Sequence, residues 1–542
     1  MSDHSTAKET MPAVPTFEKL QKDREIAEGY VDQIVEILQQ NGIWQWILSE
    51  LAKESSSNPD EAYPGQGLVV TGYEETKEVK ISELEKKELD DDTLDKTLRL
   101  WLYLLLLFNH PNRIDNLYKQ SKRPFRAPKK KLHPYFALSK IFRSSITISD
   151  LALDCNHAEN RRIQRTPLHQ RGVFVSYKRP LAVKERIQNS ISASSYNSGR
   201  EQARNPIVCA ANPEITGTPM ALATLAQAHS LVCVPRDGLF SKIDRQVDLV
   251  KEAIKWLEKS PILLDKEQTE KSRLLEFWVH NLVGVLEASP EKALLRATAL
   301  YEAGIRTFRI YSPEPSDGPL ETLKALRQLE KDNNWEPIEI FVGQVVNVKQ
   351  AIELEKAGAN SLYFGIGGGG RCTTGMAAGL TINWPELVWS LRGKIKIPMI
   401  VEGGANDHIP ESLAVGASGI GTAGKFAGTI ETPGGYLFYF DRKTEKLVKH
   451  YFGEASNAMR ALAGRIGPFG IILNSEGEAT WREARIDGQN LPTLLLVLYE
   501  QMQGIVAGLV FQSTESVEKF ANIAAENLVK ASPNDKYMRK PH

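Results

Sequence analysis

The chain has 542 residues, with 67 Lys and Arg against 67 Asp and Glu, 42% of them hydrophobic and 25% charged. These fractions exclude collagen-like, coiled-coil and wholly disordered chains, and the length calls for more than one core, because single cores stop growing near about 250–300 residues. A formal charge of zero removes the electrostatic argument for a dedicated nucleic-acid or membrane-surface binder. The four cysteines, Cys155, Cys209, Cys233 and Cys372, form no CxxC pair. Neither a structural zinc site nor a disulfide framework is expected, and a reducing cytoplasmic setting fits best. Residues 1–16 are polar, without the basic and apolar regions of a signal peptide. The longest apolar run, residues 100–108, is well short of the roughly 20 residues that span a bilayer and is expected as a buried helix.

Along the N-terminal third, apolar residues recur at helical spacing over 17–40 (Leu20, Ile26, Tyr30, Ile34, Ile37, Leu38), and Asn41-Gly42 supplies a stop. Residues 53–67 read as a loop. A second helix is expected from the acidic triplet Asp90-Asp91-Asp92 to about residue 118, its carboxylates favourably placed at the positive helix end. The basic stretch 119–140, which holds Lys122, Arg123, Arg126 and Lys129 to Lys131, reads as a solvated loop, with a phosphate-rich partner as the alternative. Residues 189–204, rich in Ser and Asn, read as a flexible connection. The domain organisation expected is a helical extension over 1–165, a linker and barrel entry over 166–204, a barrel over 205–530 and a disordered tail over 531–542.

Beyond the linker, short β-branched runs alternate with helical stretches, the signature of βα units around a parallel sheet. Eight runs qualify: 207–211, 231–234, 282–287, 306–311, 338–342, 361–364, 397–401 and 418–421. Their number and spacing predict an α/β fold, a (β/α)8 TIM barrel preceded by a mainly α-helical domain. A doubly wound open sheet is the alternative. Several of the intervening helices end in Ala-Gly, as at Ala303-Gly304 and Ala357-Gly358.

Barrel chemistry sits in the loops after the strands. The loop after the sixth run, residues 365–375, has six glycines in eleven residues and presents Cys372 beside Arg371. Glycines there let the backbone approach a ligand closely, and a cation beside a thiol favours the nucleophilic thiolate. The alternative is a small buried thiol behind a tight turn. After the seventh run stands Glu402-Gly403-Gly404, and after the eighth Gly421-Thr422-Ala423-Gly424-Lys425, the two positions that build the phosphate site of many barrels. Lys425 is a candidate phosphate partner or a helix-surface lysine; Glu402 is a candidate acceptor for ribose hydroxyls or one half of an ion pair.

These motifs resemble the IMP dehydrogenase/GMP reductase family over about residues 178–520. Gly-Ile-Gly-Gly-Gly-Gly-Arg-Cys-Thr-Thr at 365–374 is similar to that family's catalytic-cysteine loop, and Gly343-Gln344-Val345-Val346-Asn347 to the segment before it. The match continues through Val401-Glu402-Gly403-Gly404 and Ala414-Val415-Gly416-Ala417 to Glu431-Thr432-Pro433-Gly434. Three features resemble the reductase branch. No regulatory insertion follows the second strand, Ala210-Ala211-Asn212 stands where dehydrogenases carry Ser-Pro-Met, and the stretch 459–476 is short, with Glu476-Gly477-Glu478 similar to the segment that carries the reductase glutamate.

The resemblance implies that Cys372 attacks C2 of a purine nucleotide and expels ammonia, with Thr374 and Glu476 handling protons, and that NADPH or NAD is the nicotinamide partner. It places Asn212, Gly370, Arg371, Glu402, Gly403, Gly404, Gly424, Lys425, Tyr451 and Gly453 on the substrate side, and Arg236, Tyr311 and Ser312 on the cofactor side. It further implies a flap at about 453–488, a monovalent cation such as K+ at the Cys372 loop, and a homo-oligomer, a tetramer in the family. Glu402 stands where the family has Asp, Gly370 where it has a phosphate-binding Ser, Lys425 where it has a small residue, and Arg236 where it has Lys. Those departures keep three alternatives in view: an IMP dehydrogenase or a relative acting on a modified purine nucleotide, a catalytically silent barrel with a binding or regulatory role, and a flavin-dependent barrel, which has similar Gly403-Gly404 and Gly424 loops.

Overall fold

A computed structural model describes residues 15–56, 84–111, 114, 151–153, 175–178, 201–312, 316–366, 372, 379, 382–442, 445–465, 467–468, 471, 477, 479–484, 492–512, 514, 517–524 and 528–530. The basic stretch 119–140 and the tail 531–542 lie outside the described residues.

The helix expected over 17–40 is two helices, α1 (Phe17–Lys22) and α2 (Arg24–Gln40). Asp23 divides them: its backbone is extended, and its carboxylate accepts the Ile26 N–H at 3.2 Å, so it ends one helix and caps the next. Asn41 and Gly42, the latter with φ +70°, stop α2 as expected. A further helix, α3 (Ile43–Ser56), begins at once and takes in the start of the expected loop. The acidic triplet opens α4 (Asp91–Phe108), where Asp90 caps the Thr93 N–H at 2.8 Å. This helix ends well before residue 118, with Pro111 three residues past its last turn. The apolar run 100–108 forms its second half, with Trp101, Leu102 and Leu105 fully buried. No helix of the described residues is long and apolar enough to cross a membrane.

The N-terminal third is not wholly helical. Strand β1 (Leu84–Glu88) precedes α4, and β2 (Leu151–Leu153) pairs with a strand near the C-terminus. Strands β3 (Val175–Lys178) and β4 (Glu201–Arg204) pair antiparallel, so the last four residues of the expected flexible connection are a strand. Arg204 explains this. Its guanidinium is fully buried, holding both carboxylate oxygens of Glu339 at 2.9 and 2.8 Å and Asn281 Oδ1 at 2.9 Å.

Eight parallel strands then close into a barrel: β5 (Ile207–Cys209), β6 (Val232–Val234), β7 (Leu282–Glu287), β8 (Thr307–Tyr311), β9 (Glu339–Gly343), β10 (Ser361–Phe364), β11 (Met399–Val401) and β12 (Gly419–Thr422), with β12 returning to pair with β5. Each lies on one of the eight expected runs. They read as continuous apolar stretches because both faces are buried, one by the barrel interior and one by the surrounding helices. The Ala-Gly pairs end helices as expected, and Gly304 and Gly358 take φ of +108° and +99° there.

Past the barrel, β13 (Leu437–Asp441), β14 (Lys446–Phe452) and β15 (Ala479–Glu483) form an antiparallel sheet that β1 completes, in the order β1-β13-β14-β15. Strand β16 (Leu528–Lys530) is the partner of β2. The N-terminal helices sit on the barrel's outer helices. Trp101 Nε1 donates to Thr224 Oγ1 at 3.2 Å, Asn109 Nδ2 to the Gln227 carbonyl at 3.1 Å, and the Trp46 and Trp256 rings lie 4.4 Å apart.

Candidate active site

The strand ends bring most of the expected residues to one mouth. After β5, Asn212 caps a short helix by accepting the Glu214 N–H at 2.8 Å and donates from Nδ2 to the Phe452 carbonyl at 3.1 Å. The first barrel loop is thereby fastened to the end of β14, next to Tyr451 and Gly453. The Tyr451 ring lies beside Gly424, where an added Cβ would be 3.5 Å from it. After β6, the Arg236 guanidinium lies 5.8 Å over the Tyr311 ring at the end of β8. Ser312 is buried, its N–H bonded to the Gly343 carbonyl at 2.9 Å.

Cys372 is half-buried and pairs through its backbone with Gly477, which also pairs with Ser456. The cysteine loop, the turn after β14 and the segment that follows Glu476 therefore meet at one point. Gly370, Arg371, Thr374 and Glu476 lie outside the described residues. Cys209 and Cys233 are fully buried in the barrel, and burial pushes the Cys233 thiol up to about 11, so neither offers a thiolate at neutral pH.

Glu402 is engaged from within. Arg309, in the middle of β8, donates from Nη1 and Nη2 to its two oxygens at 2.8 Å each, and Gln344 Nε2 donates at 3.0 Å. Burial works against the Arg309 charge, but the Glu402 carboxylate outweighs it and holds the guanidinium firmly protonated. The packing is close: a Cβ on Gly421 would lie 2.4 Å from Glu402 Cγ, and one on Gly365 (φ +135°) would lie 2.7 Å from the Glu402 carbonyl oxygen. Only glycine fits at either place. Gln344 Oε1 and Thr422 Oγ1 are buried nearby without hydrogen-bond partners among the described residues.

Gly403 and Gly404 both take left-handed backbone, with φ of +69° and +82°. Lys425 Nζ pairs with Asp407 Oδ1 at 2.6 Å, and both line a cleft of about 290 Å³ between this corner, β15 and the last long helix (Leu494–Phe511). No group of three or more His, Cys, Asp or Glu among the described residues is placed to hold a metal ion.

The scan against protein-family models decides the lineage: the model described as the IMP dehydrogenase / GMP reductase domain matches residues 182–529, well over half of the chain. The chain belongs to that family. Among relatives, the inosine-5'-monophosphate dehydrogenase of Cryptosporidium parvum is 29% identical over 245 residues, which is 44% of this chain and 56% of that protein. The protein of the same name from Chlorobaculum parvum is 26% identical over 271 residues, 47% of this chain and 52% of that protein. The one from Toxoplasma gondii is 31% identical over 188 residues, 33% of this chain and 32% of that protein. The chain thus spans about half, or less, of the length of the curated relatives it matches.

For a member of the IMP dehydrogenase/GMP reductase family, the mouth holds three groups that reasoning from the sequence did not single out. Arg309 is one; a charged residue inside an otherwise apolar strand was its available signal. Asp237 and Glu454 are the others, and their carboxyl groups hydrogen-bond each other. Burial and the Asp237 charge push the Glu454 carboxyl well above the usual range. Asp237, although burial opposes its charge, is held below that range by the Glu454 hydrogen bond and by Arg236, Arg460 and Arg465.

Proposed function

We propose that this protein is a nicotinamide-dependent purine-nucleotide oxidoreductase of the GMP reductase type, converting GMP and NADPH to IMP and ammonia through a covalent adduct on Cys372. The observation that carries this reading is the pairing of Cys372 with Gly477, which sets the half-buried thiol beside the residue that follows Glu476 in the chain. In this reading Cys372 is the nucleophile, and Thr374 and Glu476 move protons around C2. The reduced nicotinamide supplies hydride, and the residues that would hold it are Arg236, Tyr311 and Ser312, where a cation and an aromatic face stand together.

On the substrate side, an ionised carboxylate has about four lone-pair sites, and three on Glu402 are taken by Arg309 and Gln344. The remaining one and the unpartnered Gln344 Oε1 are the two acceptors that a ribose cis-diol needs. Gly403, Gly404, Gly424 and Tyr451 would bound the phosphate, with Gly370, Arg371 and Lys425 assigned there too. A monovalent cation at the Cys372 loop, a homotetrameric assembly and a cytoplasmic location belong to the same proposal.

A second reading, oxidation of IMP with NAD, is favoured by the names of the relatives. Absorbance at the reduced-nicotinamide band separates the two. We expect NADPH consumption with GMP and release of ammonia, abolished in Cys372→Ala. Reduction of NAD with IMP and none of the former reaction would overturn the reductive reading in favour of the second. No turnover in either direction would leave a barrel that binds rather than reacts.

A further inference from the structure

Strand β14 is covered on both faces over its second half and yet carries a lysine and a histidine in adjacent positions, Lys449 and His450. Side chains alternate along a strand, so Lys449 and Tyr451 share one face, and His450 and Phe452 share the other. Each face meets a different loop of the barrel.

On the first face, the Lys449 ammonium enters the turn after β12. Its Nζ donates to the carbonyls of Thr429 at 2.8 Å, Thr432 at 3.4 Å and Gly435, and it lies 4.8 Å over the Phe438 ring. Tyr451, two residues on, lies against Gly424 at the start of the same loop. On the second face, His450 Nδ1 donates to Glu214 Oε2 at 2.6 Å, the two side chains being only 9% and 5% exposed. The His450 ring also stacks on that of Phe452, with centroids 5.3 Å apart. Glu214 lies in the short helix that Asn212 caps after β5, and Thr218, just past that helix, donates from Oγ1 to the Glu431 carbonyl at 2.5 Å. The two loops are thereby joined to each other as well as to the strand between them.

Buried charged groups are weak sources of stability, because apolar side chains of similar volume often pack as well. What directional bonds add is a fixed position. The segment fixed here is Tyr451 to Gly453, held from both sides. On the purine-nucleotide reading above, on which this rests, we infer that Glu214, His450 and Lys449 are positioning residues for the phosphate end of the nucleotide. They set the gap between the Tyr451 ring and Gly424, and so govern nucleotide affinity rather than cofactor affinity.

Calorimetric titration of the full chain with GMP and with IMP reads this without turnover. His450→Ala should weaken both nucleotides about tenfold, the worth of a hydrogen bond to a charged group, since both carry the same phosphate. Its affinity for NADPH should stay within about twofold of the parent. His450→Asn, whose amide can donate from the place of Nδ1, should recover most of the lost nucleotide affinity. Glu214→Ala removes the other end of the bond and strands no carboxylate, so it should show the same tenfold loss even where His450→Ala does not fold. Unchanged nucleotide affinity in Glu214→Ala, or an equal loss of GMP and NADPH affinity, marks a merely structural tie and overturns this inference alone. A parent protein that binds neither GMP nor IMP overturns the purine-nucleotide reading and the inference with it.

Discussion

Arg309 and Glu402 meet with both prongs of the guanidinium on both oxygens of the carboxylate, 2.8 Å each, although 93 residues separate them in the chain. Parallel strands in a closed barrel bring them together, and the interior that surrounds them leaves either charge stranded without the other. Arg309→Met should destabilise the protein by about 3–5 kcal/mol, the cost of an uncompensated buried charge. Adding Glu402→Gln should recover more than half of that loss. Urea unfolding of the two variants measures both, and a single variant within about 1 kcal/mol of the parent, on the order of an exposed pair, would mean that water reaches Glu402.

In the proposed reading, Gln344 is the link between this pair and the substrate. Its Nε2 donates to Glu402, and its Oε1 is buried without a partner among the described residues. Gln344→Leu should raise KM for a purine ribonucleotide about tenfold, corresponding to roughly 1.4 kcal/mol for a lost hydrogen bond, with kcat nearly unchanged. An unaltered KM would show that the sugar hydroxyls go elsewhere.

Glu431 makes stability depend on pH. Its two oxygens accept the Leu494 N–H at 3.0 Å at the start of the last long helix, and burial pushes its carboxyl up to about 7. The folded chain therefore holds a proton, between about pH 4.3 and 7, that the unfolded chain has released, so stability falls as pH rises through that window, by about 3 kcal/mol in the limit. Glu431→Gln keeps an acceptor for Leu494 and should flatten that slope. Denaturant midpoints between pH 5 and 8 test it; a parent protein whose midpoint rises across the range contradicts the sign.

The helices over 17–108 should unfold with the barrel rather than ahead of it, because Trp101 is fully buried and bonded to Thr224 on a barrel helix. Trp101→Ala should cost about 3–5 kcal/mol. Circular dichroism of the parent should show one transition, and an early helical step with the barrel intact would make the helices a separate module.

Different parts of this molecule were legible to different degrees for physical reasons. The barrel strands declare themselves because burial on both faces leaves unbroken apolar runs such as Leu282–Glu287. Helix α3 also carried a signal in Trp44, Ile47 and Leu51 at helical spacing. Asn41-Gly42, however, ends one helix and starts another, and a stop signal alone does not distinguish a loop from a second helix beyond it. Strand β1, Leu-Glu-Lys-Lys-Glu, has a composition that favours no strand; its ladder with β13 makes it one. The Cys372 loop stood out in the sequence because glycine clusters are local. Asp237 and Glu454 did not, since their influence on each other depends on two loops far apart in sequence.

The ladder between β1 and β13 pairs Leu84 with Asp441 and Glu88 with Leu437. Those residues leave the ribosome about 350 positions apart, so at about 5–20 residues per second the first strand waits on the order of half a minute for its partner. Until then β1 is an unpaired edge, and a shortened chain lacking residues before 90 would bare the same edge on β13 for good. Recombinant truncations to the family-matched region alone should for that reason tend to self-associate through Leu437–Asp441.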